Sequence, residues 1–195
     1  MGLRRELLLV IVLLLLIVLL VKAVGFFQPN VQPADAANFV LQDLAVKYPT
    51  ANISILETTP MVNSQGEQYF EVKAKVTEGL YTPCPVREHI YYDYPVQNFV
   101  PQPPDIITDN CTVCTTGTCI LNFPEEAIIA SHTFPGTEEV SSFINASQAV
   151  PSTEDLGTQW LVTWDSVSSP YYYTVLLDKN GEVLNVTETQ KNLTQ

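Results

Sequence analysis

Residues Tyr171 to Glu188 read YYYTVLLDKNGEVLNVTE, and their pattern sets the fold class. Tyr171, Tyr173, Val175 and Leu177 fall at every second position, the period of a strand with one buried face. Asp178-Lys179-Asn180-Gly181 follows, and Asn-Gly is a strong hairpin signal. In the returning strand Leu184 and Val186 share one face and Asn185 and Thr187 the other. A glycan on Asn185 would require Leu184 and Val186 to point inward.

Working outward, QWLVTW (Gln159 to Trp164) places Trp160, Val162 and Trp164 on one face of another strand. Upstream, Thr137 is placed to cap a helix whose first turn holds Glu138 and Glu139. Val140, Phe143, Ile144 and Ser147 form its inner stripe, with Asn145 opposite. Pro124-Glu125-Glu126 starts a shorter helix. Neighbours on a helix diverge by ~100°, so neither Glu125-Glu126 nor Glu138-Glu139 reads as a shared acid/base pair. The first half repeats this order. A helix begins at Ala34, with Ala37, Leu41, Leu44 and Tyr48 inward, and Pro49 ends it. Ile53 and Ile55 start a strand, and Phe70, Val72, Ala74 and Val76 then alternate with a wet face of Glu71, Lys73 and Lys75.

The closing hairpin, preceded by QWLVTW, resembles that of PepSY-type modules. Those are small extracytoplasmic domains in which a helix packs on a curved antiparallel sheet, broadly like cystatins. The resemblance lies mainly in the C-terminal part of the chain. It implies an α+β fold and a role as accessory or inhibitor of an extracellular peptidase, and it carries over no site residue.

Between the halves, Tyr81 to Phe123 gathers prolines at 83, 85, 95, 101, 103 and 104 and all four cysteines. Only His89 to Tyr94 is strand-like there, so the rest reads as an irregular insertion tied by disulfides. Cys84, Cys111, Cys114 and Cys119 fit two bonds in an oxidising compartment. C-x2-C also occurs in zinc sites, here held by the four cysteines or with His89 replacing one, and in redox pairs. Against these, no second C-x2-C exists and Thr112-Val113 opens no helix. Gly117 suits a turn joining Cys114 to Cys119, which leaves Cys84 for Cys111. Cys84–Cys119 with Cys111–Cys114 is the rival pairing.

The N-terminus supplies the compartment. Leu7 to Val21 is unbroken apolar sequence, Lys22 is the only charge before Phe27, and Arg4 and Arg5 precede the run. This predicts a cytoplasmic segment over 1–6, a single-pass signal anchor over 7–27, a spacer over 28–33 and an extracytoplasmic domain over 34–195. That domain divides into 34–80, 81–123 and 124–195. A signal peptide cut after Val21-Lys22-Ala23 and a pilin-like leader are the alternatives. The expected fold is therefore α+β: a transmembrane helix, then helices packed on an antiparallel sheet.

All but three of the nine basic residues and one of the 21 acids follow Phe27, within a net charge of −12. Such a surface repels nucleic acid. N-x-S/T triplets occur at Asn52, Asn110, Asn145, Asn185 and Asn192, all in the same part. Tyr91, Tyr92, Tyr94 and Tyr172 lie in tyrosine-rich strands that cannot turn every ring inward, so they form a candidate binding surface. His89 and His132 are the only histidines and read as structural. No G-x-S-x-G, H-E-x-x-H or phosphate-cradling loop is present, and no metal or cofactor is expected. The expected function is a non-catalytic, membrane-anchored binding or assembly module that meets another envelope protein or a glycan. A peptidase accessory and a pilin-like subunit are the other readings. If the acceptor sites are used, the native protein has an intact mass above that of the bare polypeptide, with Asn145 and Asn185 occupied. A mass equal to the polypeptide refutes this.

Overall fold

The structure, a computed structural model, describes residues 12–19, 31–97, 101–114 and 119–191. It forms two compact units, residues 1–32 and residues 33–195. In the first, residues 12–19 are helical. Among the described residues no helix is long and apolar enough to cross a membrane. The anchor expected over 7–27 is corrected accordingly, and the rest of that stretch lies outside the described residues.

The second unit is α+β, but it has two sheets where one was expected. Helix α1 (Pro33–Lys47) leads into β1 (Asn52–Val62), β2 (Gln68–Glu78), β3 (Val86–Tyr94) and β4 (Asp105–Thr108). Helices α2 (Pro124–Thr133) and α3 (Glu138–Ser147) then lead into β5 (Val150–Asp155), β6 (Gln159–Asp165), β7 (Tyr171–Asp178) and β8 (Val183–Gln190). Each set of four strands is an antiparallel meander in chain order. β3 contains the strand expected over His89–Tyr94 and begins earlier, at Val86, and β4 falls inside the stretch expected to be irregular, so much of that insertion completes the first sheet. β5 was also unforeseen, because it contains Pro151. Proline is tolerated there since β5 is an edge strand, and Pro151 lies buried opposite Trp164.

Two apolar cores follow. Ala36, Val40 and Leu44 of α1, spaced four apart, pack with Val72, Ala74 and Val76 of β2. The helix is thus rotated from the expected stripe, with Ala37 and Leu41 only half-buried. The second core joins α2 and α3 to Trp160, Val162, Trp164, Tyr173, Val175 and Leu177. Val140, Phe143 and Ile144 face it as expected, and Asn145 is exposed. Thr137 does not cap α3 with its side chain, since its hydroxyl donates to the Phe134 carbonyl at 2.7 Å.

The closing hairpin forms with one change of phase. Positive φ falls on Gly181 and not on Asn180, so the connection is a three-residue loop rather than a two-residue Asn-Gly turn. Leu177 pairs with Val183 and Leu176 with Asn185, a bulge that leaves Leu184 unpaired. Leu184 is therefore exposed, and Val183 and Val186 pack on the core instead.

α2 is buried from Glu125 to Ser131. Its far side explains why β2 has no fully wet face. Lys75, expected on the wet face, and Thr77 are 6% and 0% exposed because the first turn of α2 covers them. The Glu125 carboxylate, fully buried, lies 3.4 Å from Lys75 Nζ and 3.5 Å from Arg87 Nη1, and accepts from Thr77 Oγ1 at 3.3 Å. Glu126 takes Arg87 Nη1 at 2.8 Å and also accepts the backbone N–H groups of Asn122 and Phe123 at the helix start. The adjacent acids do not diverge in effect, because one guanidinium reaches both. Phe123 lies against both cations, 5.0 Å from Lys75 Nζ and 4.0 Å from Arg87 Cζ.

Removing one member of a buried, charge-balanced cluster strands the others. Glu125→Ala is expected to lower unfolding free energy by ~3–5 kcal/mol in urea titration. Glu139→Ala on exposed α3 surface is expected to change it by less than ~0.5 kcal/mol. Equal effects of the two would contradict the assignment.

Candidate functional site

α3 has a concave surface on either side. One cleft, of about 480 Å³, is lined by Thr82, Pro83, Cys84, Cys111, His132 and Ser141, with Asn145 beside them. The disulfides are Cys84–Cys111 and Cys114–Cys119, the pairing that Gly117 favoured. The first ties the β2–β3 connection to the chain just after β4. Thr108 braces the same corner, accepting from Arg87 N and donating to Pro85 O, both at 3.0 Å. Cys84 is exposed and Cys111 half-buried. Asn110 and Cys111 both have positive φ, 52° and 57°, a conformation that disfavours non-glycine residues.

His132, in the last turn of α2, closes this cleft. Its Nδ1 lies 2.9 Å from the Ile128 carbonyl, and its Nε2 3.8 Å from Cys111 Sγ. A carbonyl only accepts, so Nδ1 carries the hydrogen and Nε2 presents its lone pair to the sulfur. Burial holds the imidazole below its ordinary range. Its ring meets the edge of Trp164 at 5.3 Å. Cys84, Cys111 and His132 bring two sulfurs and a nitrogen within 4.8 Å of one another. With the sulfurs bonded to each other, they offer no thiolates to a metal.

The other concavity, about 460 Å³, lies between α3 and β7. Glu138, Glu139, Ser142, Phe143, Tyr171 and Tyr173 line it. The three rings form a triangle: Phe143 is 5.2 Å from both tyrosines, which are 5.9 Å apart. Tyr173 donates to Glu188 at 3.0 Å, and burial with that bond pushes its phenol up to about 12. Glu138 accepts from Gly136 N–H, and backbone donors keep it ionised below the usual carboxylate range.

The tyrosines named from sequence divide differently. Tyr92 and Tyr94 face α1: Tyr92 donates to Asp43 at 2.5 Å and accepts from Lys47 at 3.0 Å, and Tyr94 lies 4.9 Å from Phe39. They hold the helix to its sheet. Tyr91, on the opposite face, donates to Asp105 at 2.6 Å. Tyr172 is half-buried on the β7 face away from Tyr171 and Tyr173. The groove rings missed from sequence are those on the other phase of YYY, which were assigned to the core. Asn52, Asn110, Asn145 and Asn185 are exposed, and Asn192 lies outside the described residues. His89 is buried on β3 with Nε2 unpartnered, and burial plus Arg87 and Lys73 hold it down at about 4.

No protein-family model matches this chain, and no curated protein matches it. Among solved structures it is similar to a chain described provisionally as a lipoprotein of Clostridium difficile 630. The identity is 11%, over 80% of this chain and 91% of that one, with a TM-score of 0.23. At that score the likeness carries no argument.

Both histidines have folded pKa values below the ~6.5 of an unfolded chain. The unfolded state therefore binds protons first as pH falls. Stability is full above ~6.5 and declines from there toward the His89 value near 4. His89→Asn should flatten the pH dependence of the urea midpoint across that window by up to one proton's slope. An unchanged slope would show that His89 titrates normally.

Proposed function

We propose that this chain is an extracytoplasmic binding module whose α3–β7 groove takes a cationic segment of another envelope protein. The placement outside the cytoplasm is supported by two disulfides that enclose the cysteine-rich stretch and by acceptor asparagines on exposed surface. The observation that carries the ligand class is the groove itself: three aromatic rings beneath Glu138 and Glu139. A lysine or arginine side chain gains from both halves of that surface. Its charge meets ring faces and carboxylates, and its apolar stem covers the rings. The excess of acids across the chain works in the same direction, steering cations toward it. A neutral sugar would use the rings but gain nothing from the carboxylates' charge.

Purification of the protein from its native cells with bound proteins retained tests this. The expected partner carries a Lys/Arg-rich segment and is released by rising salt. Glu139→Lys and Tyr171→Ala, both on the groove surface, should each weaken its capture about tenfold or more. Retention unaffected by either variant, or by 1 M salt, would overturn the proposal. Recovery of a peptidase bound at another surface would support the accessory reading instead.

A further inference from the structure

The two disulfides have unlike surroundings. Cys114–Cys119 is packed against the second core, and the β7–β8 loop leans on it: a Cβ added at Gly181 would come within 2.7 Å of Cys119 Sγ. Cys84–Cys111 borders an open cleft, with exposed Cys84 on the solvent side and half-buried Cys111 on the side of His132. The imidazole is fixed twice, by Ile128 O at Nδ1 and by the Trp164 ring. Its Nε2 lone pair is aimed at Cys111 Sγ, 3.8 Å away. A disulfide that served only as a staple would need neither the cleft nor an oriented base.

We propose that Cys84–Cys111 is a thiol-accepting disulfide in which Cys84 is the sulfur attacked, Cys111 the leaving group, and His132 the base that carries the proton between them. An incoming thiol enters the cleft and gives its proton to His132 Nε2. The resulting thiolate attacks Cys84 Sγ, forming a new S–S bond as the Cys84–Cys111 bond breaks. The electron pair of the broken bond leaves on Cys111, whose thiolate lies beside the new imidazolium and takes its proton. The products are a mixed disulfide on Cys84 and a free thiol on Cys111. One thiol is consumed and one released, so no outside oxidant or reductant is needed. The direction follows from position: Cys84 is the exposed sulfur, and Cys111 is the one 3.8 Å from Nε2, so its thiolate forms beside the imidazolium. Reclosure by Cys111 reverses the step. This reading is independent of the groove on the other side of α3.

Glutathione is a suitable probe. The full-length protein with both disulfides formed is incubated with it near pH 7, quenched in acid at timed intervals and mapped by peptide mass. The expected result is glutathione on Cys84, a free thiol at Cys111 and a closed Cys114–Cys119 bond. In His132→Gln, which cannot take the proton, opening of Cys84–Cys111 should slow at least about tenfold, a small share of what a positioned acid–base group supplies. The opening rate of Cys114–Cys119 in the same molecules is the internal reference, since a general loosening of the fold would raise it. Glutathione on Cys111, or opening of Cys114–Cys119 first or at the same rate in the wild-type protein, overturns the proposal. So does an unchanged Cys84–Cys111 rate in His132→Gln. If that variant does not fold, the wild-type site and order of opening decide alone.

Discussion

The buried carboxylate of Glu125 is the constraint around which the second unit is arranged. An isolated charge with no exposure would be costly enough to abolish the fold or to be neutralised. It is tolerated because Lys75 and Thr77 from β2 and Arg87 from β3 converge on it, while Glu126 balances the second cation. Those cations belong to the first sheet and those acids to a helix whose apolar side belongs to the second core. The cluster therefore sets where α2 stands against the face of β2 and β3 turned away from α1. Apolar packing alone would leave that register loose, because burial is not directional. Charge-assisted hydrogen bonds are directional, and they exclude arrangements that leave any of the four charges alone.

The cysteine-rich stretch takes its place from the same arrangement. Cys84 follows β2 and Cys111 follows β4, so their bond closes the end of the first sheet where Arg87 pairs with Thr108. Twelve residues separate Cys111 from the start of α2, and His132 in that helix's last turn returns to within reach of the bond. The second bond docks on the β7–β8 loop, where Leu121 N–H donates to Lys179 O and Trp160 Nε1–H donates to Leu121 O. The stretch is thus a bridge between the halves, with one disulfide at each end.

Helix α3 then creates the functional surface. Its residues at 141, 144 and 145 line the sulfur-containing cleft, and those at 138, 139, 142 and 143 line the aromatic groove. Residues three and four apart share a face, so a ten-residue helix presents a different row to each concavity, while Val140, Phe143 and Ile144 reach the core. The two clefts differ in chemistry because the partners opposite α3 differ: a disulfide and an imidazole on one side, tyrosines of β7 on the other.

The alternating residues of β2, β6 and β7, the stripe of α3 and the hairpin at Asp178–Gly181 were legible because each is a local period, and local sterics act within a few residues. The disulfide pairing followed from chain geometry around Gly117. Four kinds of feature needed the folded chain. Leu184 turned outward because a bulge shifts the strand by one residue, a choice made by pairing across the hairpin. Pro151 and Val86–Arg87 joined sheets because edge position and neighbouring strands, not propensity, admitted them. Lys75 is as polar as Lys73 by sequence, yet only Lys75 is buried, because a helix about fifty residues later lands on it. His132 and Cys111 are twenty-one residues apart with no motif linking them. Sequence by itself determined the helices and the strands with a clear alternating period, since those depend on neighbours along the chain, while β4 and β5 formed only against the strands beside them. Tertiary structure decided which polar groups meet, because distance in space between remote segments is set only when both cores are packed.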